Sequence, residues 1–109
     1  MISNLFNDLP VERLPSEILS NLLSYKNIKV EKIISTGQVT PKEEIYDQEQ
    51  AEWVLILHGK AKIWLEDKGE IILEIGDYLF IEPHVKHRVT YTSSDPVTVW
   101  LAIHIFPKS

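Results

Sequence analysis

Four histidines, at 58, 84, 87 and 104, and sixteen acidic residues against eleven basic ones make up the titratable material of this 109-residue chain, which has no cysteine. Without thiols there is no disulfide framework, thiolate metal site or cysteine nucleophile, so any metal must be held by nitrogen and oxygen donors. No nucleophile elbow, phosphate-binding glycine loop, Ser-His-Asp order or zinc-finger spacing occurs. What stands out is polar residues on apolar rows. In extended chain, side chains two apart share a face. Glu52 then lies with Val54 and Ile56, His87 with Val89 and Tyr91, and His104 with Trp100 and Ala102, while Tyr46 and Gln48 share a face if their strand reaches that far. A carboxylate on such a row is costly unless paired, hydrogen-bonded or metal-bound. An imidazole, with an ordinary pKa near ~6.5, can ligate a metal or carry a proton.

These residues need strands to position them, and from Ile28 onward the pattern is that of strands. Alternation replaces helical spacing, turn residues recur at short intervals, and segments can be drawn at Ile28–Ser35, Glu44–Tyr46, Glu52–Leu57, Lys60–Glu66, Glu70–Glu74, Tyr78–Ile81, His87–Thr92 and Val97–Phe106. His58-Gly59 and Asp67-Lys68-Gly69 are hairpin turns, and Ser93-Ser94-Asp95-Pro96 is a polar break. So many short strands in one small chain imply a barrel or sandwich. Before them, Ser16 is placed to cap a helix with Glu17 in its first turn, and Ile18, Leu19, Leu22 and Leu23 repeat at helical spacing. The expected organisation is a helical extension over 1–27, packed outside a barrel over 28–109.

Composition narrows the partners. An apolar share of 44%, a charged share of 25% and a formal net charge of −5 are those of an ordinary globular chain. No Lys/Arg cluster provides a phosphate-tracking face, so nucleic acid is not an expected partner. The longest apolar run, Trp53 to Leu57, is far too short to span a bilayer, and Met1-Ile2-Ser3-Asn4 does not read as a leader, which makes the cytoplasm the expected location and excludes a membrane partner.

One spacing is specific. Glu52 is followed after six residues by Gly59, and Gly76 after ten residues by His87, with Pro83 between. This resembles the cupin superfamily, whose first motif runs from a glycine through His-x-His to a glutamate and a second glycine, and whose second motif runs from a glycine through Pro-x-Gly to a histidine and an asparagine. The likeness covers Thr36 to His104 and includes Tyr46-Asp47-Gln48, Glu52-Trp53-Val54, Gly76-Asp77-Tyr78, His87-Arg88-Val89 and Trp100-Leu101-Ala102. It implies an all-β cupin barrel, a double-stranded β-helix or jelly roll. The chain departs from the family pattern at the chemistry. Tyr46 and Gln48 occupy the two histidine positions of the first motif, Glu82 and His84 the proline and glycine positions of the second, and Tyr91 the asparagine position, whereas Glu52 and His87 keep the family's residues.

The resemblance then implies a divalent ion, Zn²⁺, Ni²⁺, Fe²⁺ or Mn²⁺, held by Gln48, Glu52 and His87, with Tyr46 and His104 facing a small-molecule substrate or completing the shell. The alternative is a metal-free pocket in which Glu52 bonds His87 and Gln48 as a polar network. Two functions follow: a metal-dependent dioxygenase or isomerase acting on a small organic substrate, or a non-catalytic module that binds or senses a small ligand. His58 and His84 are expected in solvent. Trp53, Leu55 and Leu57 form an apolar outer stripe that needs cover. That cover is either the chain's own Ser16–Leu23 helix and Ile28–Ser35 strand or a partner copy, since cupins commonly form homodimers.

Overall fold

The computed structural model describes residues 2–108, and it is all-β, with no helix among the described residues. Eight strands follow in order: β1 Ile18–Tyr25, β2 Ile28–Ser35, β3 Ala51–His58, β4 Ala61–Leu65, β5 Gly69–Leu73, β6 Tyr78–Ile81, β7 His87–Thr92 and β8 Thr98–Ile105. They form a five-stranded sheet ordered β1-β2-β8-β3-β6 and a three-stranded sheet ordered β5-β4-β7, and every pairing is antiparallel. Alternation decides what each strand buries. Val54 and Ile56 of β3, Ile63 and Leu65 of β4, and Trp100 and Ala102 of β8 turn inward and fill the space between the sheets. This is the jelly-roll barrel that the sequence implies.

The expected helix over Ser16–Leu23 is instead a strand. A pair of apolar residues recurring four positions later suits one face of a helix. It also suits a strand carrying one extra residue, and β1 has a bulge between Asn21 and Leu23. Lys26 and Asn27 turn the chain, with Lys26 at φ 53°, and Tyr25 then pairs with Ile28 and Ile18 with Ile34 along the β2 edge. The ladder of hydrogen bonds to β2 outweighs a weak local preference for helix. Ile18–Tyr25, within the stretch expected as a helical extension, is therefore part of the barrel sheet.

Glu44–Tyr46 is likewise not a strand. Residues 36–50 form a strap along β7, tied by Thr40 N to Val89 O at 2.9 Å, Thr92 Oγ1 to Gln38 O at 2.6 Å, and a single two-residue bridge between Tyr46 and His87. In β7 the expected inward row breaks after Val89. A register shift against Lys62 and Ile63 leaves Thr90 as the extra residue, so Thr92 turns in and Tyr91 turns out over Lys62.

On the outer side of the large sheet, Ile34, Val97 and Val99 make a second apolar cluster with Leu57, and Leu9 of the extended N-terminal segment packs on it. Cover for the upper part of the outer stripe thus comes from residues before β1, not from a helix. Trp53 packs instead against Tyr78, with ring centroids 5.4 Å apart. His58, expected in solvent, is half-buried. Its Nδ1 donates to the Val97 carbonyl at 3.0 Å and its ring meets Phe6 edge-on.

Candidate functional site

Between the sheets lies a cavity of about 190 Å³ that contains all five residues singled out in the sequence, Tyr46, Gln48, Glu52, His87 and His104. Two walls carry them. Glu52 and His104 are cross-strand neighbours on β3 and β8 of the large sheet. His87 opens β7 of the small sheet, and the strap brings Tyr46 and Gln48 alongside it. Tyr46 and His87 exchange backbone hydrogen bonds of 2.8 and 3.1 Å, and their rings stack with centroids 5.5 Å apart. Gln48 is fixed by its carbonyl, which accepts from His84 N at 2.8 Å, while Asp47 reaches His84 Nδ1 at 2.8 Å. His84 itself is exposed, as expected.

Each imidazole has an assignable proton. His87 is 5% exposed, and its Nδ1 donates to the Val85 carbonyl at 2.9 Å, so the neutral ring presents Nε2 as a free lone pair. His104 is 8% exposed, with Nδ1 accepting from the Gln50 amide at 3.4 Å and Nε2 donating to Glu31 Oε1 at 3.3 Å. With both nitrogens engaged, His104 has no nitrogen left for a metal.

Glu52 is 8% exposed and has no side-chain hydrogen-bond partner among the described residues. Burial pushes its carboxyl above the usual range. The nearby imidazoles of His104 and His87 pull the other way, and Glu31 adds to the rise. Tyr46 is also held above its ordinary value, first by burial and then by the carboxylates of Glu17, Glu44 and Glu52, so its phenol stays protonated. Sequence reasoning missed Glu31, Gln50 and Glu17. Glu31 was findable, because it sits in β2 two residues before Ile33, on the same kind of mixed row that exposes Glu52. Gln50 and Glu17 lie on irregular chain, where parity is no guide.

The donors suit a metal in one respect and restrict it in another. Gln48 Oε1 is buried without a hydrogen-bond partner, which is the condition a bound cation relieves. Hydrogen bonding of His87 Nδ1 to a backbone carbonyl is also how ligating histidines are oriented. Yet among the described residues no three His, Asp or Glu side chains converge on one point. An ion held by Glu52 and His87 would need the amide of Gln48 as a third donor, a set of one nitrogen and two oxygens suited to weak binding of a divalent ion.

Comparison with known proteins identifies the family. A protein from Ralstonia eutropha JMP134, provisionally described as a mannose-6-phosphate isomerase, is 42% identical over 98% of this chain and 99% of its own, with a TM-score of 0.91. An RmlC-like cupin from Methanocaldococcus jannaschii with a double-stranded β-helix fold is 13% identical over 96% of this chain and 92% of its own, with a TM-score of 0.69. The Fe(II) form of HppE with its alternative substrate (S)-1-HPP is 18% identical over 84% of this chain and 51% of its own, with a TM-score of 0.68. The last two likenesses concern the fold alone. No curated protein matches. The family model described as a cupin domain matches residues 32–105, from the middle of β2 to the end of β8. The chain belongs to the cupin family.

Proposed function

We propose that this cupin is a metal-binding protein that acts on a small organic molecule, most simply as an isomerase, with His87, Glu52 and Gln48 holding the ion. The buried, partnerless Oε1 of Gln48 in the same cavity as the free Nε2 of His87 and the unpaired carboxyl of Glu52 carries this reading. Bound there, a divalent ion would supply a Lewis acid that polarises a substrate oxygen, or a redox centre in the case of iron or manganese. The chain supplies the rest. Trp100, Ile33, Ile81 and Val89 exclude water, Tyr46 keeps its proton as a hydrogen-bond donor, and His104 holds a proton on Nε2 toward Glu31. These are proton-handling groups, which support isomerisation over oxygenation, as does the likeness to the Ralstonia eutropha protein.

Metal titration followed by elemental analysis tests the assignment. One equivalent per chain is expected, and His87→Ala and Glu52→Ala should each weaken binding by about tenfold or more. Full retention of metal by both variants sinks the site. A second reading, a ligand-binding or sensing module without metal, is supported by the lack of a three-residue His/Asp/Glu cluster. It predicts no metal uptake but a melting temperature that rises with a small ligand. A cysteine-free chain is compatible with work in the cytoplasm.

The partner we propose is a second copy. Ile18, Leu23 and Tyr25 of β1, Ile28 of β2, Ile105 of β8, and Phe80 and Tyr78 of β6 share the outer face of the large sheet and are each at least 36% exposed. Together they offer on the order of 600 Å², near the ~800 Å² per partner of a standard interface. The β1 edge beside them has no charged residue to discourage pairing, and antiparallel contact of β1 with its own copy closes around a two-fold axis. Sedimentation should give a dimer, and Leu23→Lys a folded monomer. A monomeric parent protein at micromolar concentration rejects the interface.

A further inference from the structure

The charge in the cavity is one-sided. Glu17, Glu31 and Glu52 line it together with two imidazoles, and no lysine or arginine does. Glu52, more than nine-tenths buried, faces the space with no hydrogen-bond partner among the described residues. The other two carboxylates are only partly engaged. Glu31 accepts from His104 Nε2 at 3.3 Å on one oxygen and meets Lys29 Nζ at 3.6 Å on the other, with Lys29 outside the lining. Glu17 accepts from Ser35 Oγ at 3.2 Å. In the metal-free pocket, a phosphate or carboxylate would approach like charges with no lysine or arginine to receive it. A cation would meet the reverse, with the rings of Tyr46 and Trp100 on the same walls.

We infer that the organic ligand of this pocket is a small alkylammonium, a positively charged nitrogen with a short apolar body, and that anions such as phosphorylated sugars are excluded. The inference rests on the reading of the cavity as a ligand site. The ammonium belongs on the Glu17–Glu31 side, contributed by β2 and the chain entering β1, and a metal on Gln48, Glu52 and His87 leaves that side open. Size agrees. At ~30 Å³ per water-sized unit, a cavity of about 190 Å³ holds roughly six non-hydrogen atoms beside a mostly aliphatic lining of Leu19, Ile33, Val54, Ile63 and Ile81. The likeness to a protein provisionally described as a mannose-6-phosphate isomerase brings no phosphate clamp to this chain, because the lining holds no cationic side chain to form one.

The test compares butylammonium with butyrate, a pair of similar size and opposite charge, and adds mannose 6-phosphate, by calorimetric titration at neutral pH. Each probe is run on chelator-stripped and on Zn²⁺-saturated protein. Butylammonium should bind about tenfold tighter than either anion in the stripped protein, and Zn²⁺, itself a cation that carboxylates and phosphates ligate, should narrow that gap. Glu17→Gln and Glu31→Gln should each weaken butylammonium about three- to tenfold while leaving butyrate unchanged or improved. Glu17 is exposed and its variant is expected to fold even if loss of the Glu31–His104 contact unsettles the other. Stripped protein that binds butyrate or mannose 6-phosphate as tightly as butylammonium, or that binds none of the three, overturns the inference. Zn²⁺ titration of the same samples judges the metal separately. Charge selectivity without Zn²⁺ uptake upholds this inference and removes only the ion.

Discussion

Gly59→Ala is expected to destabilise the fold by about 3 kcal/mol or more, a cost that combines backbone strain and overpacking. Gly59 turns the chain between β3 and β4 at φ +79°, where an L side chain is disfavoured. A Cβ there would stand 2.5 Å from the Val97 carbonyl oxygen, 2.6 Å from Ser93 Oγ and 2.8 Å from Thr98 Cα. Two of these atoms are backbone. The third belongs to a buried knot in which Ser93 Oγ bonds Thr98 Oγ1 at 2.9 Å and accepts from Lys60 N at 3.0 Å, so nothing nearby can move without breaking hydrogen bonds. Gly69, the first residue of β5, provides the control. Its φ is +81°, but nothing lies within 4 Å of an added Cβ, so Gly69→Ala should show the conformational cost alone, about 1–2 kcal/mol. Urea denaturation of both variants decides the matter. Similar losses in the two would mean that the close approach at Gly59 carries no energy.

Glu52→Gln should have the opposite sign, stabilising the metal-free protein at neutral pH by about 1–3 kcal/mol, the usual cost of a buried polar group left unsatisfied. The sign follows from linkage. Burial raises the carboxyl pKa in the folded state above its ordinary value of 4.5, so the native protein binds the proton more tightly than the unfolded chain. Stability is then lost as pH rises from the unfolded value through the folded one, and above that window the parent protein carries the full penalty of a buried carboxylate. Glutamine keeps the shape and drops the charge. The gain in melting temperature should therefore be present at pH 8 and vanish below about pH 4. The same variant should bind metal poorly, which separates stability from function at one residue. A variant less stable than the parent at pH 8 would show that Glu52 is already well paired in the metal-free protein.

Much of this was legible in the sequence, for reasons tied to particular residues. Ile28–Ser35, Tyr78–Ile81 and His87–Thr92 are strands with the expected bounds, because each is a short run rich in β-branched or aromatic residues next to turn residues such as Gly37, Gly76-Asp77 and Ser93-Ser94. Parity put Glu52, His87 and His104 on rows shared with apolar residues, the cupin resemblance implied that such rows face inward, and all three are buried, since a strand with one buried side has no freedom to slip. The errors fall where parity fails. An added residue in β1 made a strand look helical, and the extra Thr90 in β7 turned Tyr91 out to solvent. Tyr46 and Gln48 do line the pocket, but they are delivered by a strap with one bridge instead of by a strand. The Glu31–His104–Gln50 contacts join β2, β8 and the end of the strap, and no local pattern reports a contact made across such distances in sequence.

The two-walled origin of the pocket has a mechanical consequence. Tyr46, Gln48 and His87 ride on one hydrogen-bonded jaw, and Glu52, His104 and Glu31 on the other. Spacing within a jaw is fixed by backbone ladders, whereas the gap between jaws is set by the thickness of side chains such as Ile56, Leu65 and Leu73 packed behind them. Grip on anything spanning from His87 to Glu52 is therefore adjusted from the rear, by the bulk of aliphatic residues that never touch it, much as a calliper is set by its screw and not by its tips.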